Sequence, residues 1–137
     1  MFPIFVEHSG GNDVCESPEQ LTAVLQKTVD GENEFLLSQD SEVLIPFVSL
    51  LVTGEYGYIW YLPYDESAGI QAYGEDIGLN PEGSTIFHIN NTEEMYISNS
   101  YVNRKETAIQ IVLALVLQDS WPDCFEDMPE CAEWEEL

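Results

Sequence analysis

Positive charge is what this sequence of 137 residues has least of. Lys27, Arg104 and Lys105 stand against 26 Asp and Glu, and the formal net charge is −23. Phosphate contacts are made by Lys and Arg, so direct nucleic-acid binding is excluded as a function class. An anionic membrane surface repels such a chain for the same reason. Histidine is scarcer still. His8 and His88 lie far apart in sequence, no Gly-x-Ser-x-Gly or other nucleophile motif accompanies them, and both are expected as surface or satisfied core side chains. Cysteine occurs three times, at Cys15, Cys124 and Cys131. The odd count, and an opening MFPIFVEH without a basic stretch or a long apolar run, predict reduced thiols and a cytoplasmic location. Cys124 and Cys131 are spaced more widely than a zinc pair and Cys15 is alone, so no metal is expected there. Neither EF-hand spacing nor a run of roughly 20 apolar residues is present. No cofactor is expected.

What the chain does have is a hydrophobic fraction of 45% and an aromatic fraction of 12%, too much for a disordered chain. Its length suits one domain spanning 1–137 that buries its own core. The strongest local signal is Asn103–Gln118, NRKETAIQIVLALVLQ. Asn103 with Glu106 three residues on reads as a capping box, and the run from Ala108 to Leu117 is broken only by Gln110. The stretch predicts a helix of about four turns, apolar on nearly every side and therefore covered by other structure.

Ser17-Pro18-Glu19-Gln20 marks an earlier helix start, with Ser as cap and Pro in the first helical position. Leu21, Val24, Leu25 and Val29 predict one apolar face over 18–29, ended by Gly31. Strand-like runs follow at 34–39, 43–53, 56–62, 70–73, 85–89 and 95–98, after a first short strand through Phe2, Ile4, Phe5 and Val6. Ser9–Asp13 reads as a turn, and Gly54-Glu55 as a hairpin connection. Strand follows strand without intervening helices. The expected fold is therefore α+β: a mainly antiparallel sheet packed on an N-terminal and a C-terminal helix. The acidic segment 119–137 carries eight acids and no base, and the alternation of Cys131–Glu135 predicts an ordered final strand.

Two acidic pairs, Asp65-Glu66 and Glu75-Asp76, flank a Gly- and Ser-containing loop beside Tyr64 and Tyr73. Paired carboxylates can hold Ca²⁺, do acid–base work, or simply face water. Charge this one-sided favours a surface that meets a basic protein, steered by long-range attraction that salt screens. Tyr and Trp are common interface anchors, although Tyr56, Tyr58 and Trp60, on alternating strand positions, read first as core.

The C-terminal part resembles immunity-protein family one of bacterial polymorphic toxin systems. The resemblance rests on Tyr58-Ile59-Trp60-Tyr61 followed by Tyr73-Gly74, on the helix opening with Val102, Glu106 and Ala108, and on the ending Pro129-x-Cys131-x-x-Trp134-x-Glu136. It covers roughly residues 56–137. The passage Ser120–Met128 is longer and more acidic than the short turn usual in that family.

The resemblance implies a non-enzymatic protein that binds and neutralises a cognate toxin, as a monomer in a one-to-one complex. Toxins paired with this family are often nucleases or nucleic-acid deaminases, whose basic clefts an acidic surface can occupy. The expected contact residues are Tyr64, Asp65, Glu66, Tyr73, Glu75, Asp76 and Glu82, assisted by the acidic tail; Trp134 and the apolar helix face are expected as core. Two other classes compete. An acidic adaptor would bind a basic partner without suppressing its activity, which an assay of the bound partner separates. A hydrolase or metal enzyme built on His88 would show bound metal or turnover.

Overall fold

In the computed structural model, which describes residues 2–89 and 92–137, most of the chain is organised by one antiparallel sheet with a different cover on each face. The strands are β1 (Ile4–His8), β2 (Gly11–Cys15), β3 (Glu32–Ser38), β4 (Phe47–Thr53), β5 (Tyr56–Leu62), β6 (Ile70–Ala72), β7 (Ser84–Ile89), β8 (Glu93–Ser98), β9 (Asn103–Arg104) and β10 (Trp134–Glu136). The helices are α1 (Pro18–Leu25) and α2 (Lys105–Val116). The sheet runs β10-β6-β5-β4-β3-β1-β2, with β9 beside β6 along the same edge of β5. β7 and β8 form a separate hairpin.

Alternation along the strands divides the sheet into two faces. Ile4, Val6, Phe35, Leu37, Val48, Leu50, Val52, Ile59 and Tyr61 point to one side. They are buried there with Leu21, Val24 and Leu25 of α1 and the apolar residues of α2. Gly57 makes the helix–sheet contact close, since a Cβ on it would lie 2.6 Å from the Cβ of Ala108. On the other side Leu51 and Tyr58 pack with Phe87, Ile97 and Val102 beneath the β7–β8 hairpin. His88 Nδ1 lies 2.8 Å from Glu32 Oε1, which also accepts from the Thr53 hydroxyl, pinning the hairpin to β3 and β4.

Local chemistry explains the element ends. Ser17 Oγ accepts from the Gln20 N–H at 3.2 Å and Pro18 occupies the first turn, as the sequence predicts. α1 stops at Leu25, short of the predicted 29. Val29 instead bridges to Glu32 and is exposed, because Asp30 and Gly31 both take positive φ in a turn. Asn103 does not cap α2. Its side chain is buried, donating to the Tyr73 carbonyl and accepting from the Glu75 N–H, and Arg104 takes the cap position without a side-chain bond. The predicted turn Ser9–Asp13 is only partly one: Gly11–Cys15 pairs with β1. Val43–Pro46 lies outside the strand predicted for 43–53, which begins at Phe47.

The acidic tail is tied down by its apolar residues. Trp121, Met128 and Trp134 are buried with the helix-side core, and the Tyr61 hydroxyl donates to the Pro122 carbonyl at 2.7 Å. Burial pushes the Tyr61 phenol above its ordinary value. The Trp134 indole N–H donates to the Pro129 carbonyl at 2.9 Å, closing the Pro-x-Cys-x-x-Trp segment on itself. Among the described residues no helix is long and apolar enough to cross a membrane.

Candidate protein-interaction surface

Carboxylates dominate the surface because few cations are available to meet them. Among the described residues the ion pairs are His8–Asp13, Lys27–Asp13 and His88–Glu32, so they engage two carboxylates. The His8 and Lys27 hydrogen bonds hold the Asp13 carboxyl below its ordinary value. His8 contacts Phe35 on the helix side of the sheet, whereas His88 reaches Glu32 from the hairpin side. The two histidines thus lie on opposite faces and do not form a pair.

The structure divides the expected contact residues into two groups at opposite ends of β6, a strand of three residues, or about 10 Å at ~3.3 Å each. Tyr64, Asp65 and Glu66 are exposed on the β5–β6 loop. That loop folds back over Trp60: Gly69 has φ +107°, and a Cβ there would lie 2.1 Å from the Trp60 indole nitrogen. Tyr64 lines a hollow of about 280 Å³ with Asp123, Glu126 and Glu136. Beyond β6, Tyr73 and Glu75 line a second hollow of about 270 Å³ with Glu130 and Glu133. The tail therefore adds carboxylates to both groups, and among the described residues no Lys or Arg lines either hollow. Asp76 accepts from the Gly78 N–H within its loop, and Glu82 is exposed in the turn that leads to β7.

Glu135 on β10 joins the Tyr73 side of this surface to the sheet. One of its oxygens accepts from the Tyr73 and Tyr101 hydroxyls at 2.7 and 2.9 Å, the other from the Gln71 amide at 3.1 Å. Gln71 in turn accepts from the Tyr58 hydroxyl. These donors hold the Glu135 carboxyl below its ordinary value, Tyr73's bond first. Reciprocally the Tyr73 phenol is pushed up to about 12, chiefly by its bond to Glu135. Tyr73 is expected as an anchor from the sequence, whereas Glu135 has no signal beyond its place in the acidic tail, because nothing local places β10 beside β6.

A larger feature lies on the other part of the hairpin-side face. Cross-strand register builds a row Asn12–Glu7–Leu36–Ser49–Trp60 and, beside it, Val14–Phe5–Ser38–Phe47–Leu62. The hairpin reaches only their Trp60 end, where Ile89 and Met95 line a hollow with Leu36, Ser49 and Trp60. From β2 to Phe47 of β4 the rows form the floor of a groove of about 590 Å³ that takes in Phe5, Val14, Leu36, Leu44 and Phe47. Through Leu36 and Phe47 it continues into a hollow of about 440 Å³ beside Trp60 and Met95. Val14 and Leu44 are 53% and 54% exposed. The signal for this face was in the alternation: Phe5 and Leu36 are apolar at positions that a singly covered sheet gives to polar residues.

The thiols are not arranged as a metal centre of the zinc-finger kind. Cys15 is buried, and Cys124 and Cys131 are exposed and unpaired. Asp123, Cys124 and Asp127 place candidate ligand atoms within 4.8 Å of one another. The Cys124 thiol donates to Asp127 Oδ2 at 2.9 Å, and that bond raises its pKa, favouring S–H over the thiolate that binds metal. No protein-family model matches the chain, and no curated protein matches it either.

Proposed function

We propose that this chain is a non-catalytic inhibitor that docks on a basic protein, in the manner of the immunity proteins its C-terminal part resembles. The partner on this reading is a toxin acting on nucleic acid, whose cationic substrate cleft receives the carboxylates. The supporting observation is that both loops flanking β6 carry acids, and that the tail adds more to the hollows beside them without any Lys or Arg. Desolvating carboxylates against a cationic cleft offsets their mutual repulsion, and the long-range field speeds encounter. Tyr64 and Tyr73 supply flat apolar area among those charges.

The test is the quadruple variant Asp65→Lys, Glu66→Lys, Glu75→Lys, Asp76→Lys, co-expressed with a toxin domain encoded beside the gene. All four positions are exposed, so folding is expected to survive. Binding should weaken by about 3 kcal/mol and protection should be lost. A variant that protects cells as well as the parent chain overturns this contact surface. Purified chain that leaves the bound partner fully active favours the adaptor reading instead.

A further inference from the structure

The open groove is not used by the loops just described. It crosses β2, β1, β3, β4 and β5, which at about 4.8 Å between strands gives a trough of ~19 Å. That length suits about thirteen residues of helix or six of extended chain. Its floor is mostly apolar, with Glu7, Asn12 and Ser38 among the apolar side chains: Phe5, Leu36 and Phe47 are half-buried, and Phe47 packs edge-on against Trp60 with ring centroids 5.5 Å apart. Loop residues Val43 and Leu44 stand exposed, Leu44 as part of the groove wall, and the loop is held by Asp40, whose carboxylate accepts from the Glu42 and Val43 N–H groups.

We infer that this groove is a docking site for an amphipathic cationic segment of a protein partner, with Leu- or Phe-type side chains on the floor and Lys or Arg toward the rim. The inference rests on the reading of a basic partner and names the face and the segment chemistry. Charge selects the occupant. Glu7 lies on the floor between Asn12 and Leu36 and Glu34 lines the adjoining hollow, while Asp13, also in the groove lining, is already met by Lys27 and His8; among the described residues no Lys, Arg or His itself lines either part. A second copy would bring its own net charge of −23 against the same face. An acidic or nucleic-acid ligand meets the same repulsion.

The probes are three synthetic peptides of about twelve residues: one of Leu and Lys at amphipathic helical spacing, one with Ser for Leu, and one with Glu for Lys. Each is titrated into the isotope-labelled full chain and followed by amide NMR. The Leu/Lys peptide should bind at least tenfold more tightly than either control and shift amides at Phe5, Val14, Leu36, Leu44 and Phe47. The double variant Val14→Glu, Leu44→Glu should lose at least tenfold in affinity although it adds negative charge; both side chains are exposed, so the fold is preserved. Equal binding of the Ser/Lys peptide, equal binding of the Leu/Glu peptide, or shifts centred on Asp65 and Glu75 would each overturn the inference. Self-association of the parent chain that the double variant abolishes would assign the groove to a second copy and overturn it as well. Toxin protection reads out the inhibitor proposal separately: a groove that takes the Leu/Lys peptide in a chain that does not protect refutes inhibition and leaves the groove intact.

Discussion

The two faces of the sheet are made by adjacent residues of the same strands, yet they end in different states. Leu37, Val48, Leu50 and Ile59 are sealed by helices, whereas Leu36, Phe47 and Trp60, one residue away on those strands, remain half-exposed. A sheet with apolar residues on both sides needs two covers. The helices supply one over most of its width. The β7–β8 hairpin supplies the other from the Leu51–Tyr58 end as far as Trp60. The face that is fully covered carries stability, and the face that is half-covered leaves apolar area open, on which the proposed docking rests.

The comparison is tested most strongly by one truncation made on each side. Leu50→Ala, in the sealed core, should cost about 4 kcal/mol in urea unfolding, while Leu44→Ala, on the groove wall, should stay within about 0.5 kcal/mol of the parent. Comparable losses would mean that the groove is part of the core. Gly57→Ala comes next. The added methyl group meets Ala108 and must push α2 from the sheet, so a loss of about 2 kcal/mol is expected with the same measurement. An unchanged midpoint would show that the helix can move away freely.

The smallest effect concerns Glu135, at the rim of the hairpin side. Its carboxyl titrates below the ordinary value of 4.5 in the folded chain. The stability it contributes is therefore complete above that value and is lost as pH falls through the lowered folded value. Tyr73 has the opposite sign: its contribution is complete below its ordinary value of 10.0 and is lost as pH rises toward about 12. Thermal melts of the parent and Glu135→Gln should differ at neutral pH and converge as the pH drops below 4.5. A constant gap between the two curves would assign the effect to packing rather than ionisation.

Strongly periodic segments were legible in the sequence. β5 matches the predicted 56–62 in full, and the Ser17-Pro18 start and the buried α2 follow from capping and apolar spacing. Where local signals failed, tertiary contacts had taken over the residue. Asn103 has the chemistry of a cap but serves the β6–β7 loop, and GNDVC has no strand pattern but pairs as β2 because β1 offers it an edge. The seven expected contact residues were selected by composition, so their division between the two ends of β6 was invisible until the strand was placed.

The sequence by itself determined the net charge, because that does not depend on how the chain folds, and the proposal of a basic partner starts from it. The sequence also determined the strongly periodic strands such as β5, through a side-chain period set by backbone geometry, but not β2 or β9. Only the tertiary structure decided which apolar face would be sealed. That depends on where α2 and the β7–β8 hairpin come to rest, and contacts between residues distant in the chain leave no periodic trace along it.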